Sequence, residues 1–360
     1  MNCCPNCFSD PVAKGIVKEL ANNELGACDF CGSEDVPIVD ISPECELRGY
    51  FDDMIEVFAP ASRVPKQRRL SAKPLPFAEA FTSLWNVFSI DTKAVESFLG
   101  ALYSTEDWFE EFRTRPIVVT PNQGNSDISE FSLFGTKTWE DFVQSIKSNL
   151  RFHTTIENEE LFRSICNSLS KSIPTEQCWY RARIWNKEKA PKAKDLHEAP
   201  SSLTRNGRMN VAGIPCLYIA NSPLAAISET RASQFDTMAV ARMHPKATLS
   251  IVDLSRIHSV SPFDEISCNV LAANIDNLRL IRRELLRPMR RTDPELDYLP
   301  TEYISDLIKS LGYDGIGYKS VMSKEGYNIA SFRTVEEAFD ILVIDMYHID
   351  EINYRLTHSS

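Results

Sequence analysis

Four cysteines near the N-terminus restrict that part of the chain more than any other feature restricts the rest. Cys4-Pro-Asn-Cys7 and Cys28-Asp-Phe-Cys31 form a CxxC-x20-CxxC pattern. Each short turn points two sulfurs at one place, and two such turns can set four thiolates tetrahedrally around one zinc ion. A site closed by four thiolates leaves no open coordination position, so the pattern predicts a structural metal rather than hydrolytic chemistry. Cys3 adjoins Cys4 and competes with it for one ligand position. Few basic residues flank the knuckles, which argues against a nucleic-acid-reading zinc ribbon. The other five cysteines (Cys45, Cys166, Cys178, Cys216, Cys268) stand singly among apolar neighbours and read as buried core thiols. Ten cysteines used in this way suit a reducing compartment, not a disulfide framework.

The 360 residues are 43% hydrophobic and 25% charged, the composition of a folded chain of two or three domains. No apolar run reaches the ~18 residues of a membrane span, and Met1-Asn2-Cys3-Cys4 opens no secretory signal. A cytoplasmic protein without membrane attachment is therefore expected. The 50 acidic against 39 basic residues give a net charge of -11, which disfavours general nucleic-acid binding.

From 45 to 172 the apolar spacing is helical. Phe77–Phe88, Val95–Tyr103 behind Asp91, Trp139–Leu150 behind Thr138, and a stretch through Leu161, Phe162, Ile165 and Leu169 each carry one apolar face. Between them, 104–136 is rich in Asn, Ser, Gly and Pro and reads as loop with a short strand at Ile117–Val119. After Ile173-Pro174 the texture changes. β-like runs at Cys178–Ile184, Cys216–Ala220, Met238–Met243, Thr248–Leu254, Gly315–Lys319 and Ile341–Met346 alternate irregularly with helical stretches at Pro223–Arg231, Ile275–Leu286 and Thr301–Leu311. This predicts an α+β protein in three blocks: a Cys4 zinc knuckle at 1–44, a helical domain at 45–172 and a mixed α/β domain at 173–360.

The last block holds the distinctive residues. Tyr180-Arg181-Ala182-Arg183 lies inside an apolar strand signal, followed by Gly207-Arg208-Met209-Asn210, Gly213-Ile214-Pro215 and the strand Cys216-Leu217-Tyr218-Ile219-Ala220. A helical PLAAISET then places Glu229 near its end, and YLPTEYISDLIKSLGYDGIGYKS leads to Ser320, with Gly326, Tyr327, Asn328 and Phe332 beyond.

Over roughly 175–345 this set resembles the RES domain family, named for an arginine, a glutamate and a serine. The N-terminal portion, CxxCF…CDFCGS followed by helices, resembles the HEPN/RES N-terminal domain that precedes some RES domains. The segment DLHEAPSSLTRN departs from the Gly/Pro-rich turn of the longer relatives. The resemblance implies a fold related to ADP-ribosyltransferases and an NAD-degrading toxin held by an antitoxin. Such an enzyme cleaves the nicotinamide–ribose bond as a glycohydrolase or phosphorylase, with NAD as its substrate. The positions carried over are Arg181, Arg208, Tyr218, Glu229 and Ser320.

Their chemistry suits that reaction. Guanidinium forks bind a pyrophosphate bidentately, which makes Arg181 and Arg208 the clamps. Arg183, two positions from Arg181, shares its strand face, so either or both could contact NAD. Loss of nicotinamide builds positive charge on the ribose, and the Glu229 carboxylate can stabilise it. Tyr218 can stack on the nicotinamide ring. Ser320 can hydrogen-bond the nicotinamide amide or a ribose hydroxyl, but no histidine can be placed beside it to make it a nucleophile. Gly207 and Gly213 are expected to let backbone approach the ligand.

Three other readings compete. A HEPN ribonuclease needs an arginine followed four to six residues later by histidine, and none of the six histidines has one. Transfer of ADP-ribose to a protein would use the same arginines and glutamate. A non-enzymatic zinc or NAD interaction module would not need the full motif set. His197 and His258 carry no catalytic pattern, and Arg282-Arg283-Glu284 with Arg287 and Arg290-Arg291 reads as a solvated helix face. No GxGxxG or P-loop is present, so NAD would not be held in Rossmann fashion.

Overall fold

The computed structural model describes residues 1–71, 73–257, 260–287 and 294–352. His258, His358, Arg290 and Arg291 lie outside the described residues. The chain divides into two compact units that are not contiguous in sequence. The first comprises 1–142, 155–168 and 259–278, and the second 143–154, 169–258 and 279–360. Residues 259–278, which the sequence reading assigned to the C-terminal block, thus pack with the first unit.

In the first unit, short strands β1 (Asn2–Cys3), β2 (Leu25–Gly26), β3 (Val36–Pro37) and β4 (Val39–Asp40) pair β1 with β4 and β2 with β3 around the cysteine knuckles. Helix α1 (Pro11–Leu20) fills the gap between the knuckles. It starts where Asp10 accepts hydrogen bonds from the Val12 and Ala13 amides and Pro11 occupies the first turn. Helices α2 (Leu47–Ile55), α3 (Phe77–Trp85), α4 (Thr92–Leu102) and α5 (Asp107–Thr114) follow, with β5 (Phe58–Pro60) paired to β6 (Ile117–Val119). Asp91 caps α4 through the Ala94 amide, as its position predicts. The apolar pattern of α3 runs on to Phe88, but Asn86 turns left-handed (φ 48°) and ends the helix three residues earlier. Helix α5 sits within the stretch read as loop. Its buried Phe109 and Phe112 lie 6.0 and 5.1 Å from Phe77, so two aromatic anchors outweigh a loop-like context.

The core here is aromatic: Phe51 lies 5.3 Å from Phe98 and 5.4 Å from Phe263. Helix α6 (Trp139–Ser148) opens with Thr138 and Asp141 capping each other's amides, and α7 (Glu159–Ser168) closes the helical run. The Asn274 side chain, fully buried, donates to the Phe131 carbonyl and accepts from the Leu133 amide, which fixes 259–278 to this unit.

The second unit is built on an eight-stranded sheet. In chain order its strands are β7 (Ser170–Ile173), β8 (Trp179–Ile184), β9 (Leu217–Ala220), β10 (Thr237–Pro245), β11 (Leu249–Asp253), β12 (Gly315–Lys319), β13 (Tyr327–Ser331) and β14 (Phe339–His348). Their spatial order is β14-β10-β8-β9-β13-β12-β11-β7. Only β11–β12 run parallel among these pairs. Such mixed pairing agrees with the α+β reading. Strands β7 and β13 have no counterpart in the sequence reading: β7 is short and polar, and the β13 run YNIAS is brief. Trp179, Leu217, Ile219, Ala239, Ala241, Met243, Ile251 and Ile329 form the buried core of the sheet. On the other face, Ala225 and Ala226 of α8 (Pro223–Thr230) pack on Ala220, Tyr180 and Ala182. Helix α9 (Cys268–Leu286) begins in the first unit and ends in the second. Helix α10 (Leu299–Ser310) and the one-turn α11 (Val335–Ala338) complete the second unit. Among the described residues no helix is long and apolar enough to cross a membrane.

Candidate active site

Strands β8 and β9 pair only at Tyr180–Ala220, so they splay apart over most of their length. A cleft of about 350 Å³ opens at this place. Its walls include Arg181, Arg208, Tyr218, Glu229, Tyr318 and Asn328.

Helix α8 delivers the glutamate. Ser222 caps it through the Ala225 amide, and it stops after eight residues at Arg231, whose backbone is left-handed (φ 52°). Small alanines let the helix lie close to the sheet, so Glu229 at its last turn reaches the cleft. A carboxylate at a helix C-terminus opposes the helix dipole and needs donors to hold it. Two are supplied. Ser320 Oγ donates to Glu229 Oε1 at 2.6 Å and Asn328 Nδ2 donates to the same oxygen at 2.8 Å. Oε2 takes no hydrogen bond among the described residues. One oxygen is therefore anchored and the other is available.

Ser320 lies behind the glutamate. Its single proton goes to Glu229, and its oxygen accepts from the Met322 and Ser323 amides, both at 3.1 Å. Its hydrogen-bonding capacity is filled by protein groups. Glu229 is thus its side-chain contact in the structure, where the sequence predicts a contact with the ligand. The turn is tight: a Cβ on Gly326 would come within 2.6 Å of Ser320 Cβ.

Arg181 and Arg183 do share a strand face, and both donate to the His197 carbonyl, at 3.2 and 2.5 Å. Arg181 also donates to the Tyr218 carbonyl at 3.0 Å, bridging the splayed strands. Arg181 lines the cleft and Arg183 is not among its lining residues. Arg181 makes no ion pair among the described residues, and its buried Nε has no acceptor. Burial, with Arg183 beside it, lowers its pKa to about 10, so it stays a cation at neutral pH. Arg208 lines the cleft while two of its nitrogens donate to the Leu285 and Arg287 carbonyls at the end of α9.

Tyr218 is locked through its hydroxyl, which donates to Asn210 Oδ1 at 2.7 Å and accepts from the Met209 amide at 3.2 Å. Burial pushes its phenol well above the usual range, so it stays protonated. Gly207 gives clearance to these protein atoms: a Cβ there would meet Asn210 Oδ1 at 2.5 Å and the Tyr218 hydroxyl at 2.9 Å. Gly213 adopts φ +84°, the left-handed turn that favours glycine.

Sequence reasoning gave no role to Tyr180, Arg231, Tyr298, Tyr318 or Asn328, all of which line the cleft. Tyr318 and Asn328 face each other across β12–β13, a register no local pattern reveals. Burial pushes the Tyr318 phenol upward, and the Glu229 charge adds to it. His197 contributes its carbonyl to the two arginines. In the arginine run, Arg287 is not merely solvated; it pairs with Asp297 at 3.0 Å.

In the first unit, the sulfurs of Cys4, Cys7, Cys28 and Cys31 all lie within 4.8 Å of one another. Cys4–Cys31 and Cys7–Cys28 are each 3.4 Å apart. Ligands ~2.3 Å from a tetrahedral ion sit about 3.8 Å from each other, so this donor set fits one metal ion. Cys3 is outside it, with its thiol 3.8 Å from the Cys4 carbonyl. All ten cysteines are free thiols.

No curated protein matches the chain. One solved structure with a detectable likeness is the M. tuberculosis MbcT–MbcA toxin–antitoxin complex. It shares 13% identity over 53% of this chain and 92% of the matched chain, with a TM-score of 0.32. The RES domain family matches residues 179–356. Every cleft residue named above falls within that span, so the cleft lies in the part of the chain that matches the RES domain.

Proposed function

We propose that the RES domain binds NAD in this cleft and breaks the bond between nicotinamide and ribose. The observation that carries the reading is a carboxylate anchored through one oxygen, in the same cleft as an arginine that makes no ion pair among the described residues. Arg181 and Arg208 bind the pyrophosphate through their remaining N–H donors. Tyr218, immobilised at its hydroxyl, offers its ring face to the nicotinamide. As the glycosidic electron pair leaves with nicotinamide, the ribose acquires positive charge, and the free Oε2 of Glu229 stabilises it and orients the incoming water or phosphate. Ser320 and Asn328 keep that carboxylate aimed.

The family match and the resemblance in the N-terminal half support a wider picture. In it, the chain is a toxin-like cytoplasmic enzyme related in fold to ADP-ribosyltransferases. A HEPN/RES-type helical block precedes the catalytic domain, zinc occupies the four-cysteine site as a structural ion, and an antitoxin restrains activity. Zinc there would cross-link the two knuckles and supply no catalytic chemistry.

The test is NAD consumption by the full chain, with and without phosphate, products resolved by mass, and Glu229→Gln alongside. We expect nicotinamide release that falls about 10²–10³-fold in the variant, the cost of removing a key charge stabiliser. The co-product, ADP-ribose, its phosphate ester or a modified protein, names the acceptor. A folded wild-type protein that leaves NAD intact in both buffers overturns the reading.

A further inference from the structure

We infer that Lys147, from outside the RES span, is a positioning residue for the cleft. Residues 143–154 belong to the same compact unit as the RES strands, although they precede the family match by more than twenty residues. Lys147, in the last turn of α6, donates to Asp297 Oδ1 at 2.9 Å. Asp297 Oδ2 in turn accepts from Arg287 at 3.0 Å. The Arg287 carbonyl, with that of Leu285, holds the Arg208 guanidinium. The circuit closes through Glu295, two residues from Asp297, which accepts from Asn206, two residues from Arg208. Tyr298, next to Asp297, is itself a cleft wall.

Asp297 and Lys147 are only 19% and 22% exposed, so the pair is poorly screened and its loss is felt. Lys147 and Arg287 together hold the Asp297 carboxyl below the usual range, as expected of a carboxylate shared by two cations. Remove Lys147, and among the described residues only the exposed side chain of Arg287 still pairs with the Asp297 carboxylate. The end of α9 and the Asn206–Asn210 turn then lose their common anchor. Arg208 is left less well placed for an anion while Glu229, held by Ser320 and Asn328, is undisturbed.

The kinetic part of this inference rests on the NAD reading; the structural part does not, and the experiment separates them. Full-length wild type, Lys147→Met and Lys147→Arg are compared in two ways. Amide hydrogen exchange without ligand should quicken in Lys147→Met at 206–210 and 295–298, leave 224–230 unchanged, and revert in Lys147→Arg. NAD kinetics should show KM raised about fivefold with kcat within about twofold, as expected when ground-state and transition-state binding weaken together. Exchange unchanged in the two segments, or quickened equally throughout the second unit, overturns the inference. So does a fall in kcat with KM constant. If wild type consumes no NAD, the function reading fails and hydrogen exchange alone decides the role of Lys147.

Discussion

Asn328→Asp should turn the anchor of Glu229 into a repulsion whose strength depends on pH. The change is isosteric, but it puts a carboxylate oxygen where Asn328 Nδ2 now donates to Glu229 at 2.8 Å. Asn328 is only 2% exposed, so water cannot relieve the clash. Two unit charges at that distance repel by about 6 kcal/mol at an effective dielectric of 20. The pair limits this cost by keeping one proton. Holding a proton on a carboxyl of ordinary pKa near 3.9 costs about 4 kcal/mol at pH 7 and about 1.5 kcal/mol at pH 5. A folded pKa raised above the unfolded value means that the variant is stable at low pH and loses stability as pH rises through the folded pKa. Calorimetry should therefore find the melting deficit relative to wild type larger at pH 7 than at pH 5 by about 5–10 °C. Asn328→Ala is the control: it removes one charge-assisted donor, about 1.5–3 kcal/mol, with no such pH dependence. In a Glu229→Gln background the pH-dependent part should vanish. A deficit for Asn328→Asp that is equal at both pH values, or that survives Glu229→Gln, would refute the assignment of Asn328 as the partner of Glu229.

Two further perturbations probe other parts of the molecule. Cys28→Ser removes one of four converging thiolates, so bound zinc, read by elemental mass spectrometry, should fall from near one equivalent to a small fraction, with earlier unfolding of the first unit; wild type purified without metal would contradict this. Gly207→Ala places a methyl group against the Tyr218–Asn210 bond, so about 1–3 kcal/mol of stability should be lost, together with NAD affinity; unchanged chemical denaturation would show that the turn yields.

The residues singled out for the cleft are spread from Arg181 to Ser320, and how far each was legible divides by how local its cause is. The knuckles are legible because a CxxC turn needs no distant partner to aim two sulfurs, and the α8 boundaries because Ser222, Pro223 and the apolar PLAAI run act within a few residues. Strand β12 is readable for the same reason, while α5 is hidden by its surroundings and revealed only by the packing of Phe109 and Phe112 on Phe77.

The amino-acid sequence by itself determined which chemistry is available: four thiolates at metal spacing, a glutamate at the end of a short helix, and arginines at strand positions two apart. The tertiary structure decided which groups meet. Cys3 and Cys4 are chemically equal, and only their place in the fold separates them: the Cys4 sulfur joins the cluster and that of Cys3 does not. Ser320 and Asn328 converge on Glu229 Oε1 from residues 91 and 99 positions away, because strand pairing lays β12 beside β13 and α8 packs across the sheet. Lys147 reaches Asp297 across 150 residues. Contacts of this separation depend on the register of strands and the closure of long loops, and neither leaves a trace in local composition.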